Sequence, residues 1–203
     1  MGKTSPTRID RCTWGGWSEA FRLTNGEAEL VVVPAVSRIL HYGLAGGPNL
    51  LWQNAAVAGR PPGSEQWTNY GGSKTWIWPE SEWTKRNAGV WFPPTDRPDT
   101  IASAAEILDE GALRLCSPLI PDFGLVLVRD VRLARSGTRV EIASEIRKDG
   151  GEEFPIAAWT VTQLPSDAAL YARLVEGSRL ADGFKTYFGS FASVTREGSD
   201  VLV

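Results

Sequence analysis

A strand–turn–strand pattern centred on Asn25-Gly26 constrains the fold of this chain more than any other feature. Apolar and β-branched residues dominate the two flanking segments, residues 20–24 and 27–33. Asn-Gly favours the two-residue turn whose twist matches that of paired strands. The pattern therefore predicts an antiparallel β-hairpin near the start of the chain.

A second hairpin is predicted around Ser136-Gly137, between residues 123–134 and 138–148. In the latter segment the apolar residues Val140, Ile142 and Ile146 alternate with charged ones. Strict alternation is typical of a strand that is buried on one face and solvated on the other. The segment therefore predicts a sheet with one face against a core.

The remaining segments complete an all-β prediction. Further strands are predicted at residues 36–42, 49–53, 74–78 and 154–163, the last apolar enough to be buried on both faces. Residues 101–108 fit a helix by composition or one arm of a hairpin by the turn that follows, and residues 54–66 and 92–100 are predicted loops. We expect an antiparallel β-sandwich of two packed sheets, formed by a single domain over residues 1–203.

Composition and charge exclude several classes of partner and cofactor. The net charge of -3 gives no long-range attraction for nucleic acid. No apolar run reaches the ~18 residues that a membrane span needs, and the first residues lack the apolar core of a signal peptide, so we expect a cytoplasmic protein. Cys12 and Cys116 stand far apart without metal-ligand spacing, and no cofactor motif is present.

Residues 67–83 are unusually aromatic and contain a single glycine pair followed by a lysine. They hold four of the nine tryptophans in the protein. If residues 74–78 form a strand that ends at Pro79, Lys74, Trp76 and Trp78 share one face. Flat aromatic faces beside a point donor suit the apolar face and the hydroxyls of a sugar ring. The alternative is that these tryptophans fill the core, because large aromatics are mostly buried.

Three segments resemble the galactose mutarotase-like (aldose 1-epimerase) superfamily. They are residues 23–53, the block NYGGSKTWIWPE at Asn69–Glu80, and residues 128–163. The second block is similar to a Trp-rich branch of that superfamily and to the Gly-Gly…Trp-Pro block of hexose-phosphate epimerases. The resemblance implies a β-sandwich that binds a sugar or sugar derivative on one concave surface. With the strand geometry, it indicates a ligand-binding surface formed by Arg38, Asn69, Lys74, Trp76, Trp78 and Trp159.

The catalytic residues that the resemblance implies do not match. Such enzymes use a His as general acid, on the strand that follows a Phe-Pro pair, and a Glu as general base. After Phe154-Pro155 the predicted strand contains no His. The single histidine, His41, lies much earlier and is interpreted as structural. The Glu position falls beyond residue 203, so we expect this chain to be a C-terminally truncated form of the fold.

Two hypotheses follow from this comparison. The first is a carbohydrate-binding protein that keeps the scaffold and lacks the usual His/Glu pair, with little or no mutarotase activity. The second is an aldose 1-epimerase or hexose-phosphate epimerase-type isomerase that uses other acid–base residues. The carboxylates available for that role are Glu80, Glu82, Asp96, Asp99 and Asp122.

Overall fold

The computed structural model of the chain describes residues 6–62, 67–86, 101–180, 182–185 and 194–203. It divides into two compact units, Met1–Leu164 and Pro165–Val203. Strands are the main regular secondary structure of both, and the longest helix in the described residues has only six residues. The all-β prediction is therefore confirmed, whereas the number of independently folding domains stays a prediction.

The described residues of the first unit form ten strands, one short α-helix and two 3₁₀ turns. The strands are β1 (Arg8–Trp14), β2 (Trp17–Thr24), β3 (Ala28–Val33), β4 (Arg38–Leu44), β5 (Ser73–Trp78), β6 (Ala104–Asp109), β7 (Ala112–Cys116), β8 (Leu125–Leu133), β9 (Val140–Lys148) and β10 (Ala157–Thr162). Helix α1 spans Ser81–Arg86, and the 3₁₀ turns span Pro34–Val36 and Ala55–Val57.

These strands form two antiparallel sheets. The six-stranded sheet has the order β1-β2-β3-β4-β5-β10, and the four-stranded sheet has the order β6-β7-β8-β9. The sheets pack against each other through a core drawn from both, as in a β-sandwich. Its buried residues are Phe21, Leu23, Ala28, Leu30, Val32, Ile39, Leu51, Leu113, Leu115, Val131 and Leu133.

The six-stranded sheet is buried on both faces near its centre. Leu30 and Val32 of β3 belong to the core between the sheets, whereas Val31 and Val33 pack in a second cluster with Tyr70. We call the side toward the four-stranded sheet the inner face and the opposite side the outer face. The second cluster therefore covers part of the outer face.

Both predicted hairpins are confirmed. Strands β2 and β3 pair around Asn25-Gly26, and β8 and β9 pair around the turn at Ser136-Gly137. The ambiguous segment at residues 101–108 is not a helix, because β6 and β7 form a hairpin there. The predicted loop at residues 92–100, with Asp96 and Asp99, lies outside the described residues, as do residues 63–66 of the loop at 54–66.

Two strand predictions need correction. Residues 49–53 form no strand beyond one isolated bridge at Gln53. The Asn49 side chain replaces the hydrogen bonds that a paired strand would make with β4. Its Nδ2 donates to Leu40 O at 2.9 Å, and its Oδ1 accepts from Tyr42 N at 3.0 Å. β10 is not buried on both faces, and its residues are half-buried or exposed. It pairs with β5 as the last strand of its sheet in the described residues, where less of each face is covered.

The second unit, Pro165–Val203, has a three-stranded antiparallel sheet. Its strands are β11 (Tyr171–Arg173), β12 (Thr195–Glu197) and β13 (Asp200–Leu202), in the order β11-β13-β12. Arg173 and Asp200 form an exposed ion pair across this sheet, with Nε and Oδ1 3.0 Å apart. In the described part of the whole chain, no helix has the length and apolar character that a membrane crossing demands.

Candidate functional site

The aromatic segment enters the six-stranded sheet through Gly71-Gly72. Gly72 has a φ of +72°, and a Cβ at this position would lie 2.2 Å from the carbonyl oxygen of Ile39. Its amide N donates to the carbonyl oxygen of Trp52 at 2.8 Å. Because only glycine allows this close approach, the pair lets Ser73 align with Ile39, where β5 begins beside β4.

The two faces of β5 separate as the alternation predicts. On the inner face, Ser73 accepts hydrogen bonds from Arg129, Thr75 bonds Ser144 at 2.8 Å between hydroxyls, and Ile77 packs in a core cluster with residues 120–125. Lys74, Trp76 and Trp78 therefore lie on the outer face, since side chains alternate along a strand. Trp159 of β10 stands directly opposite Trp76 in the register and shares that face.

Three indole rings form a cluster on and beside this face. The Trp76 ring centroid lies 5.0 Å from that of Trp83 and 5.5 Å from that of Trp159, both edge to face, and Trp83 and Trp159 are stacked at 6.3 Å. The tryptophans differ in how much of each side chain is exposed to solvent. Trp83 on α1 is 1% exposed and donates its Nε1 to Ile77 O at 3.0 Å, whereas Trp78 is 49% exposed. Trp83 fits the core-filler interpretation, and Trp78 does not.

Lys74 is held against the aromatic rings. Its ammonium nitrogen lies 3.6 Å from the ring centroid of Trp76 and 5.7 Å from that of Trp67. A cation this close to an indole face is attracted by the ring quadrupole, and more strongly when both are removed from water. Lys74 is only 3% exposed. The contact therefore fixes the orientation of Trp76.

Arg38 and Asn69 each form a hydrogen bond with the backbone of Gly71. Arg38 is fully buried, donates from Nη1 to Gly71 O at 2.8 Å, and lies over the Tyr70 ring at 5.8 Å. Asn69 accepts from Gly71 N at 3.1 Å through Oδ1. The structure thus brings Lys74, Trp76, Trp78 and Trp159 together on one face, and places Arg38 and Asn69 at the turn that positions them.

Sequence reasoning missed Arg129, a buried cation between the sheets. It donates from Nη1 to Ser73 O and from Nη2 to Ser73 Oγ, both at 2.7 Å. Burial, together with the positive charge of Arg38, lowers the pKa of Arg129 to about 9, so it is charged at neutral pH. The sequence contains a signal for this burial. Alternation along β8 places Arg129 on the same face of the strand as four apolar residues, Leu125, Leu127, Val131 and Leu133.

His41 lies on β4 and contacts Glu29 and Trp14. Its Nε2 is 3.5 Å from Glu29 Oε1, and its ring meets the Trp14 ring edge to face at 6.1 Å. Burial lowers the pKa of His41, against an opposing effect of Glu29. Its side chain is therefore neutral at pH 7, as suits a structural residue.

The sequence profile of one protein family, described as "Domain of unknown function (DUF4380)", matches residues 19–202. The chain belongs to the DUF4380 family. The match spans the first hairpin, the glycine pair and the tryptophan cluster. No curated protein matches the chain, and no solved structure does.

The outer face of this DUF4380 chain offers one exposed indole, two half-buried ones and a cation behind them. We call Trp76, Trp78 and Trp159 the tryptophan platform. β10 presents Trp159, Thr160 and Val161 at its centre, and none of these side chains titrates near neutral pH. The platform can therefore stack against a ring but supplies no general acid from this strand.

Proposed function

We propose that this DUF4380 chain binds a carbohydrate on the tryptophan platform without the acid–base pair of the mutarotases. The observation that carries the proposal is the Lys74 ammonium, 3.6 Å from the ring centroid of Trp76 on the outer face of β5. This contact holds an indole ring beside the half-exposed Trp78. A fixed, accessible aromatic face is what the apolar side of a pyranose packs against.

Two arguments favour a ligand surface over a core. Removing an indole from water is strongly favourable, so a large exposed Trp78 beside two further indoles is an apolar patch that a partner would cover. Trp76 and Trp159 are already held by contacts with neighbouring rings, which reduces the entropy lost on binding. In this proposal the three tryptophans contact the sugar, and Lys74 is a positioning residue because so little of it is exposed.

Replacing Trp78 with alanine should weaken sugar binding at least about tenfold, or ~1.4 kcal/mol, because a stacking face is lost. The unfolding free energy should change by less than ~1 kcal/mol, since the side chain is half exposed. Isothermal titration with a panel of neutral pyranoses, sugar acids and sugar phosphates measures the first quantity, and urea unfolding measures the second.

Two control variants accompany this test. Trp14→Ala removes a half-buried indole that contacts His41 on β4, and it should leave the affinity unchanged. Trp83→Ala should cost ~3–5 kcal/mol of stability, the range for a fully buried aromatic. If Trp78→Ala destabilises the protein as much as Trp83→Ala and leaves binding untouched, the platform is a core element and the proposal fails.

We expect no acceleration of sugar mutarotation. A mutarotase must protonate the ring oxygen while it deprotonates the anomeric hydroxyl, and each positioned group contributes ~10²–10⁴-fold. The optical rotation of freshly dissolved α-glucose and α-galactose should therefore relax at the buffer rate in the presence of protein. A faster rate that disappears on Glu80→Ala or Lys74→Ala would favour the isomerase alternative.

A further inference from the structure

We propose that two copies of this chain form a dimer in which their β9 strands pair antiparallel about a two-fold axis at Ser144. The pairing joins the two four-stranded sheets into one continuous sheet. This interface uses β9 and lies outside the tryptophan platform, which is on β5 and β10, so it stands independently of the carbohydrate proposal. It rests on the edge of β9, the apolar side chains beside that edge and the order of charges along the strand.

The free edge of β9 is long and regular. In the described residues β9 ends the four-stranded sheet, and it pairs with β8 without a register shift over its nine residues, Val140–Lys148. The end strands β1 and β6 both contain a register shift. Such irregularities hinder the pairing of a sheet edge with another chain. Since β9 has no such irregularity, its edge is a template for a further strand.

Apolar side chains are accessible beside this edge. Val140 and Ile142 face the core, because they stand opposite the buried Leu133 and Val131 of β8. Both line a cavity of about 390 Å³ between the two sheets. Ile142 is 36% exposed. A second β9 strand placed alongside would cover this apolar surface, and its removal from water favours association.

The charges of β9 are self-complementary about Ser144. In an antiparallel pair centred there, each residue stands opposite the one that lies equally far on the other side of Ser144 in the second copy. Glu141 of each copy then meets Arg147 of the other on the solvated face, and Ile142 meets Ile146 on the core face. Opposite charges and apolar residues that stand directly across a strand pair stabilise it. Symmetry forms each contact twice.

Other registers near this one are disfavoured. A slide by one residue places core-facing side chains of one copy beside solvated ones of the other. A slide by two residues that moves the centre to Ala143 places Glu141 opposite Glu145. It also places Arg139 opposite Arg147. The opposite slide places Glu145 across from its own copy. Like charges directly opposite each other destabilise a strand pair.

The charged groups remain available to a partner. Within one copy Glu141 pairs with Arg139, with Oε1 and Nη2 2.8 Å apart. Arg147 pairs more loosely with Glu145, with Nε and Oε1 3.6 Å apart, and also contacts Cys116 Sγ at 3.8 Å. The side chains of both ion pairs are 49–77% exposed. Exposed pairs of this kind contribute little, so they compete weakly with contacts across the two-fold axis.

Sedimentation equilibrium of the full chain measures the dissociation constant of the dimer. The wild type should be dimeric, with monomer appearing on dilution and with added salt. Arg147→Glu places like charges across both symmetry-related contacts, so it should raise the Kd about tenfold or more. A wild-type chain that stays monomeric up to about 1 mM overturns the proposal.

A charge exchange tests the register itself. The double variant Glu141→Arg/Arg147→Glu restores opposite charges across the axis and should return the Kd close to that of the wild type. Arg8→Glu is the matched control, because it reverses the charge of an exposed arginine on β1, and it should leave the Kd unchanged. Equal weakening by Arg8→Glu and Arg147→Glu, or a double variant as weak as Arg147→Glu, overturns the proposal.

Hydrogen exchange of the wild type covers the case in which a variant does not fold. Amide protection along β9 should increase with protein concentration, because the free edge gains hydrogen bonds in the dimer. The amides of β1 and β6 should exchange at rates that do not depend on concentration. Protection that increases at β1 or β6 and not at β9 contradicts pairing through β9.

Discussion

Replacing Gly72 with alanine is expected to lower the free energy of unfolding by ~2–5 kcal/mol. A left-handed φ costs an alanine ~1–2 kcal/mol, and overpacking against a fixed group adds ~1–3 kcal/mol. Here the added Cβ would lie 2.2 Å from Ile39 O and 2.9 Å from Leu40 Cδ2. Neither β4 nor β5 can withdraw without breaking their pairing. Urea unfolding followed by circular dichroism measures the change.

Gly137→Ala is the matched control for this prediction. Gly137 has a φ of +71°, nearly that of Gly72, but an added Cβ would meet nothing within 4 Å. Only the conformational cost should appear there, ~1–2 kcal/mol. If the two variants lose the same stability, close approach of the backbones is not what requires glycine at position 72, and the account of how β5 is placed is wrong.

Replacing Asn25 with alanine should cost ~2–4 kcal/mol, because this buried side chain joins the turns of the two hairpins. Its Nδ2 donates to Ala134 O and Gly137 O, both at 2.8 Å, and its Oδ1 accepts from Glu27 N and Ala28 N, both at 2.9 Å. In the variant all four backbone groups lose this hydrogen bond, and Ala134 O keeps only the longer one from Thr7 Oγ1 at 3.4 Å. Thermal and urea unfolding should both report the loss.

Asn25→Asp separates the two halves of this arrangement. The carboxylate can still accept from Glu27 N and Ala28 N, but it cannot donate to the two carbonyl groups of the second hairpin. If both hairpins depend on Asn25, the unfolding free energy of the Asn25→Asp variant should lie between those of the wild type and of Asn25→Ala. A loss below ~0.5 kcal/mol for Asn25→Ala, typical of surface changes, would show that the two turns are not coupled through it.

Local patterns predicted most of the sheet structure because they depend on neighbours in sequence. The Asn25-Gly26 turn and the alternation in residues 138–148 both specify a strand pair without any distant contact. The apolar run at residues 49–53 has the same composition as a strand, yet the amide of Asn49 replaces the ladder. Composition does not reveal such a substitution, and it does not reveal that β10 is the last strand of its sheet in the described residues.

The candidate site was likewise predictable from local patterns only in part. Alternation along residues 74–78 is sufficient to predict that Lys74, Trp76 and Trp78 share one face. It does not distinguish the buried Trp83 from the exposed Trp78, because burial depends on where α1 and β10 meet β5. Arg129 was accessible to the same argument, since a charged residue in an apolar row of a strand demands an explanation.

The most direct test of the carbohydrate-binding proposal is the response of the tryptophan indole N–H signals to sugar. Protein labelled with ¹⁵N at its indoles gives a resonance for each of its nine tryptophans, which single substitutions assign. Titration with the tightest-binding sugar of the calorimetric panel should shift the signals of Trp76, Trp78 and Trp159 and leave those of Trp14 and Trp17 in place. If no sugar in the panel shifts any indole signal, or if the shifts occur at Trp14 and Trp17 instead, the tryptophan platform is not a carbohydrate-binding surface.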